Sequence, residues 1–334
     1  MRKAIAASVV MMGLAAAGVA WAWGSTGHRL IGMEGVRLLP AYVPAFLRTP
    51  EAMADIGEYA NEPDRWRGAG DVHAERDAMH FIDLNDDGTT LAGMTLDNLP
   101  AKRSQYAAAI SAKGGDPDRA GYLPYAEVDA YQQVVKDFAY WRVVSLMETR
   151  ENDKDRKAWY HADRLRREAQ IKYDIGVMAH YVGDATQPLH LSIHYNGWGN
   201  FPNPQGFTTD RIHVPLEGPY VTKNVTQADL KQYEPDYTPC TGPVMTCFTT
   251  KLKASFDQVI PMYQLYKDGG FADGDPRGKA FITRQVALGA TNLRDAILDA
   301  WRDSKTMGVG YPATPYDDFV GNKVEDPWTV LHGE

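Results

Sequence analysis

The sequence predicts an all-α protein, a single mostly helical domain with long irregular loops. Three observations predict it. Apolar residues recur every three or four positions over long stretches, alternation of period two is scarce, and no Ser/Gly linker or internal repeat divides the 334 residues.

Along the chain, Arg2 and Lys3 precede an uncharged apolar run over residues 4–20 that closes on Ala20-Trp21-Ala22. That pattern reads as a signal peptide spanning residues 1–22, too short for a membrane span, with small residues where a signal peptidase cuts. Cleavage leaves Trp23-Gly24-Ser25-Thr26-Gly27-His28 as the new terminus and a domain over residues 23–334, in a secreted or periplasmic protein acting as a monomer. Loss of Arg2 and Lys3 moves the formal net charge from -8 to -10. Such acidity argues against a broad basic face for duplex nucleic acid, whose binding rests on many phosphate contacts. It leaves open an enzyme whose metal ions neutralise phosphate locally.

Helices are predicted over 26–38, 124–150, 156–184, 250–267 and 276–303. In the last, Phe281, Ile282, Val286, Leu293, Ile297 and Trp301 mark one face. The polar stretches 61–79, 83–97, 195–224 and 235–249 are rich in Gly, Pro, Asn and Asp, and loops of that length are usually functional or disordered. Cys240 and Cys247 lie in the last of these and are expected to pair in an exported chain. Residues 307–334, with Gly308, Gly310, Pro312 and Pro315, are predicted as an irregular tail.

Against this frame, His180 and Asp184 lie four apart on a predicted helix, on one face and within reach of a common metal ion. Pro188 follows and then His190, a third candidate ligand on the turn. His213 and Glu217 repeat the spacing, although Pro215 between them makes a regular helix doubtful. A third element is His80-Phe81-Ile82-Asp83, preceded by Asp64 in Asn61-Glu62-Pro63-Asp64-Arg65-Trp66-Arg67. The run from Asp83 to Gly88 looks like the start of a calcium loop, but its twelfth position is Met94, so it reads as a turn.

Taken together, an N-terminal Trp, a His five residues on, Asp then His-Phe-Ile-Asp, His-x-x-x-Asp-x-x-Gln-Pro-Leu-His and His-x-x-x-carboxylate resemble the superfamily that joins zinc-dependent phospholipase C with the single-strand-specific zinc nucleases. The resemblance implies a helical fold around a trinuclear zinc cleft. One zinc would be held by Asp64, His80, His180 and Asp184, and a second by His190, His213 and Glu217. A third would take the α-amino nitrogen and carbonyl oxygen of Trp23 with His28, Asp184 bridging back to the first. A free amine beside its own carbonyl forms a chelate, so this third site requires leader cleavage. Asp64 is expected to orient or deprotonate the attacking water, and Arg67 to approach the phosphate.

The substrate signals point two ways. Phe81 and Asp83 match the base-contacting positions of the nucleases, favouring hydrolysis of single-stranded nucleic acid or nucleotides. The Gly-Gly-Asn loop and Asn-Leu-His-x-x-Trp-Asp ending of those enzymes are absent, and Pro204-Gln205-Gly206-Phe207 with His213 and Glu217 look more like the phospholipase branch. The lean is to the nuclease, with phospholipid as the alternative and a non-catalytic zinc-binding protein as a remote one. His73, His161, His194 and His332 match no motif position and are expected to pack or face solvent.

Overall fold

The computed structural model describes residues 23–333; the predicted signal peptide lies outside the described residues. The core is helix on helix. Helix α1 (Gly24–Arg37) packs against α2 (Pro50–Tyr59), α5 (Lys154–Asp184) and α8 (Pro276–Asp303), while α4 (Leu123–Arg150) lies along α5. A shorter helix α3 (Arg103–Ala112) precedes α4, and α6 (Val244–Phe256) and α7 (Val259–Lys267) precede α8.

Local chemistry explains the ends of the long helices. The Asp153 carboxylate accepts from the backbone N–H groups of Asp155 and Arg156 at the start of α5. Asp275 does the same for Arg277 at the start of α8, where Pro276 takes the first helical position and sacrifices no hydrogen bond. Ile282, Val286, Leu293 and Ile297 are buried along α8, as the periodicity predicts. Where α1 crosses α8, a Cβ on Gly35 would come within 2.7 Å of Leu293 Cδ2 and 3.0 Å of the Ala290 carbonyl oxygen, so glycine sets the close approach.

Two expectations need correction. The helix predicted over 250–267 is two helices, because Pro261 has no N–H for the Asp257 carbonyl and its ring would clash there, so α6 stops at Phe256. The tail is not irregular. Val309 and Thr314 exchange backbone hydrogen bonds of 2.9 and 2.8 Å, after which come α9 (Tyr316–Val320) and α10 (Pro327–His332), the latter capped by Asp326. Phe319 and Trp328 pack this segment against Val143, Val144 and Tyr160. The loops also contain short helical turns, Glu62–Arg65 and Glu75–His80 among them. Cys240 and Cys247 form the expected disulfide, and no described helix is long and apolar enough to cross a membrane.

One ion-pair network ties α1 to the segment after 227. Arg37 reaches Glu34, whose side chain is fully buried, at 2.6 Å, and both carboxylate oxygens of Glu234 at 2.7 and 2.8 Å. Arg37→Ala would leave the buried Glu34 carboxylate without its cation, the Gln227 amide still donating to it at 2.8 Å. Because Arg37 is itself partly exposed, the expected loss is about 2 kcal/mol, measured by urea unfolding.

Candidate metal centre

Every predicted histidine and carboxylate ligand in the described chain is buried. Asp64 comes from the short turn Glu62–Arg65, His80 from the end of the turn Glu75–His80, and His180 and Asp184 from the last turn of α5. Helix α5 ends there because Gln187, preceding Pro188, is pushed into extended backbone (φ -91°, ψ 110°), and the turn Pro188–His190 then delivers His190. His213 and Glu217 stay on one face despite Pro215, because Pro215 falls in the first helical turn, where its missing N–H loses no bond, and the chain runs on into a π-helical turn over Leu216–Tyr220. His28 lies one turn into α1.

These side chains converge in three groups: His28, His180 and Asp184; Asp64, His80 and His180; and His190, His213 and Glu217. Two ligands at about 2.1 Å from a tetrahedral zinc ion stand about 3.4 Å apart. His28 Nε2 lies 3.5 Å from Asp184 Oδ1 and His180 Nε2 lies 3.3 Å from Asp184 Oδ2. His80 Nε2 is 3.8 Å from Asp64 Oδ1, and His190 Nε2 is 3.7 Å from Glu217 Oε2. His213 Nε2 is closer to that same oxygen, at 2.8 Å. The two oxygens of Asp184 thus face two different histidines of one cluster, and His180 is shared between that cluster and the one with Asp64 and His80.

The surroundings prepare these atoms as metal ligands. Nδ1 of His180 bonds the Ala60 carbonyl at 2.8 Å, that of His190 the His80 carbonyl at 2.5 Å, and that of His80 the Asp77 carbonyl at 3.1 Å. Each contact places the proton on Nδ1 and turns the Nε2 lone pair inward. The Nε2 atoms of His80 and His180 and both oxygens of Asp184 are buried without a hydrogen-bond partner. Leaving so many buried polar atoms unsatisfied is costly, and a divalent cation resolves it. Burial also pushes His180 down to about 4 and His80 well below its ordinary value, so both rings are neutral, the form a metal binds. It raises the Asp64 and Asp184 carboxyls, a shift that a cation at the site would reverse.

Trp23 is fully buried, its indole N–H donating to the Gly183 carbonyl at 2.8 Å, one residue before Asp184. A Cβ on Gly183 would lie 3.2 Å from His28 Nδ1, so the site is packed tightly from this side. Arg67, with a side chain 17% exposed, sits 3.4 Å from Asp64 at the edge of the centre. The metal groups include neither Phe81 nor Asp83. Phe81 is partly buried against the core, and its carbonyl accepts from Leu123 N–H at 3.0 Å. The run from Asp83 to Gly88 is a turn, as expected.

Burial lifts the Asp83 carboxyl from the ordinary 3.8 to about 8. An acid raised in the folded state contributes stability at low pH that is lost as pH climbs from about 4 through about 8. Asp83→Asn should therefore melt like the parent at pH 4 and be more stable at pH 8, by on the order of 2 kcal/mol after discounting its partial exposure. Thermal melts at the two pH values measure this.

The histidines outside the motifs have other partners. His194 stacks on Trp198 with 3.6 Å between centroids and meets Asp86 at 2.7 Å, His161 pairs with Glu148, His332 stacks on Trp328, and His73 lies edge-on to Trp66. Sequence reading missed the backbone carbonyls of Ala60, Asp77 and His80 that orient the ligating rings, since a carbonyl acceptor carries no side-chain signature.

No family model matches the chain, and no curated protein does. Among solved structures, the Clostridium perfringens alpha-toxin from avian strain SWCP is similar over 83% of this chain at 15% identity with a TM-score of 0.40. The chain spans 63% of the toxin's length. So distant a likeness carries no argument about activity.

Proposed function

We propose that the chain is a zinc-dependent hydrolase of phosphodiester bonds acting on phospholipid head groups. The observation that supports this most is Asp184, whose two oxygens face His28 and His180 within three adjoining clusters of buried nitrogen and oxygen donors. That donor set, free of thiolate, suits zinc in hydrolytic work. Zinc held by Asp64, His80, His180 and Asp184, by His190, His213 and Glu217, and by Trp23 with His28 would polarise phosphoryl oxygens and supply a nucleophilic water at neutral pH. Asp64, beside these donors, would orient the attacking water or take its proton. The Arg67 guanidinium, beside Asp64, pairs with a phosphoryl oxygen as charge develops there.

Two features favour lipid. Tyr195, Phe201 and Val214 are exposed along the segment that carries the chain from His190 past His213, giving that side of the centre an apolar border. A formal charge of -10 for residues 23–334 repels a polyanion. Single-stranded nucleic acid is the second reading. It is favoured by Phe81 and Asp83 directly after His80, where Asp83, uncharged below about 8, offers a base edge both a donor and an acceptor.

Side-by-side hydrolysis of phosphatidylcholine micelles and single-stranded DNA by the zinc-loaded chain beginning at Trp23 separates the readings. Lipid cleavage is expected, falling about 100-fold or more in Asp64→Asn. Cleavage of DNA alone would transfer the proposal to the nuclease, and cleavage of neither would end it.

A further inference from the structure

We propose a second ligand site, distinct from the metal centre, for an uncharged apolar small molecule beneath the Cys240–Cys247 loop. A cleft of about 380 Å³ opens there, within the range of small-molecule pockets, and it shares no lining residue with the metal ligands. Tyr131 of α4, Val244 and Phe248 of α6 and Ala296 of α8 form its walls, and residues 238–242 form its roof.

The charged and phenolic groups around it are already matched. Tyr131 O–H donates to Asp303 at 2.6 Å, and Lys251 pairs with Asp295 at 3.3 Å. Asp299 accepts from Tyr237 O–H at 2.6 Å, from Cys240 N–H at 3.0 Å and from Arg302 at 2.5 Å. No buried polar atom without a partner lines the cleft among the described residues. The charges cancel in pairs and offer no pole to an ion, so the surface left to a ligand is mostly aromatic face, aliphatic side chain and disulfide sulfur, with a few neutral threonine side chains. Displacing water from such a surface favours an apolar molecule without charge.

The roof is held in two ways, by the disulfide that ties Cys240 to Cys247 on α6 and by the Asp299 carboxylate that accepts from Cys240 N–H. Reduction removes the first, so occupancy depends on the oxidised state.

Titrating the zinc-loaded chain that begins at Trp23 with N-phenyl-1-naphthylamine, an uncharged fluorophore that brightens in apolar surroundings, tests the site. One saturable site per chain is expected. Ala296→Leu and Val244→Trp, which fill the cleft from different helices, should each weaken binding about tenfold or more with melting temperature and ester hydrolysis unchanged. Reduction of the unmutated chain with tris(2-carboxyethyl)phosphine, a reductant without thiols to compete for zinc, should weaken it about threefold or more. The absence of saturable binding would overturn the proposal, as would binding indifferent to reduction and to whichever filling variants keep the parental melting temperature.

Discussion

Asp184→Asn is expected to lower kcat/KM for the phosphodiester substrate by on the order of 1,000-fold, the equivalent of about 4 kcal/mol of lost transition-state stabilisation. The size of the effect follows from position. Asp184 Oδ1 faces His28 and Oδ2 faces His180, so in the proposed scheme one side chain would serve two neighbouring ions. An amide has one acceptor oxygen and no charge, and it cannot join two cations. The variant should also hold fewer metal ions than the parent while keeping its helical content, because Arg164 and Glu168 anchor α5 to Glu148 and Trp141 of α4 well away from its last turn. Steady-state kinetics and elemental analysis on one preparation check both parts. Full metal content with full activity would show that Asp184 bridges nothing.

The second large effect is at Trp23, packed beside the last turn of α5. A chain carrying one extra residue before Trp23 should lose one metal ion and about 100-fold in activity, because its α-amine becomes an amide and cannot donate to a cation. The rest of the terminus is already built for the role. The Trp23 indole is fixed to the Gly183 carbonyl at 2.8 Å and to Thr186 Oγ1 at 3.3 Å, and its own carbonyl accepts from Gly27 N–H at 3.1 Å. The backbone at Trp23 takes a left-handed φ of 36°, turning the chain sharply into α1. Trp23→Ala should cost about 3–5 kcal/mol through the cavity it leaves, whereas the extended chain should lose metal with a smaller loss of stability. Thermal melts in saturating zinc separate the two effects.

Much of this centre was legible in the sequence because its geometry is mostly local. His180 and Asp184 meet through the pitch of an α-helix, and α8 occupies residues 276–303 as its apolar period and its Asp275-Pro276 start require. Other features needed the fold. The facing of His213 and Glu217 depends on a π-helical turn that Pro215 made look improbable. The break between α6 and α7 was signalled by Pro261, and the ordering of the tail by Asp326-Pro327, but both were outweighed by broader composition. The carbonyls that set the histidine tautomers come from residues whose side chains have no part in the chemistry, and only three-dimensional contact reveals them.

Elemental analysis of the cleaved chain after dialysis against trace zinc tests most directly whether the three adjoining clusters hold three zinc ions once Trp23 is the terminus. The account predicts three zinc ions per chain; fewer than about two would contradict it.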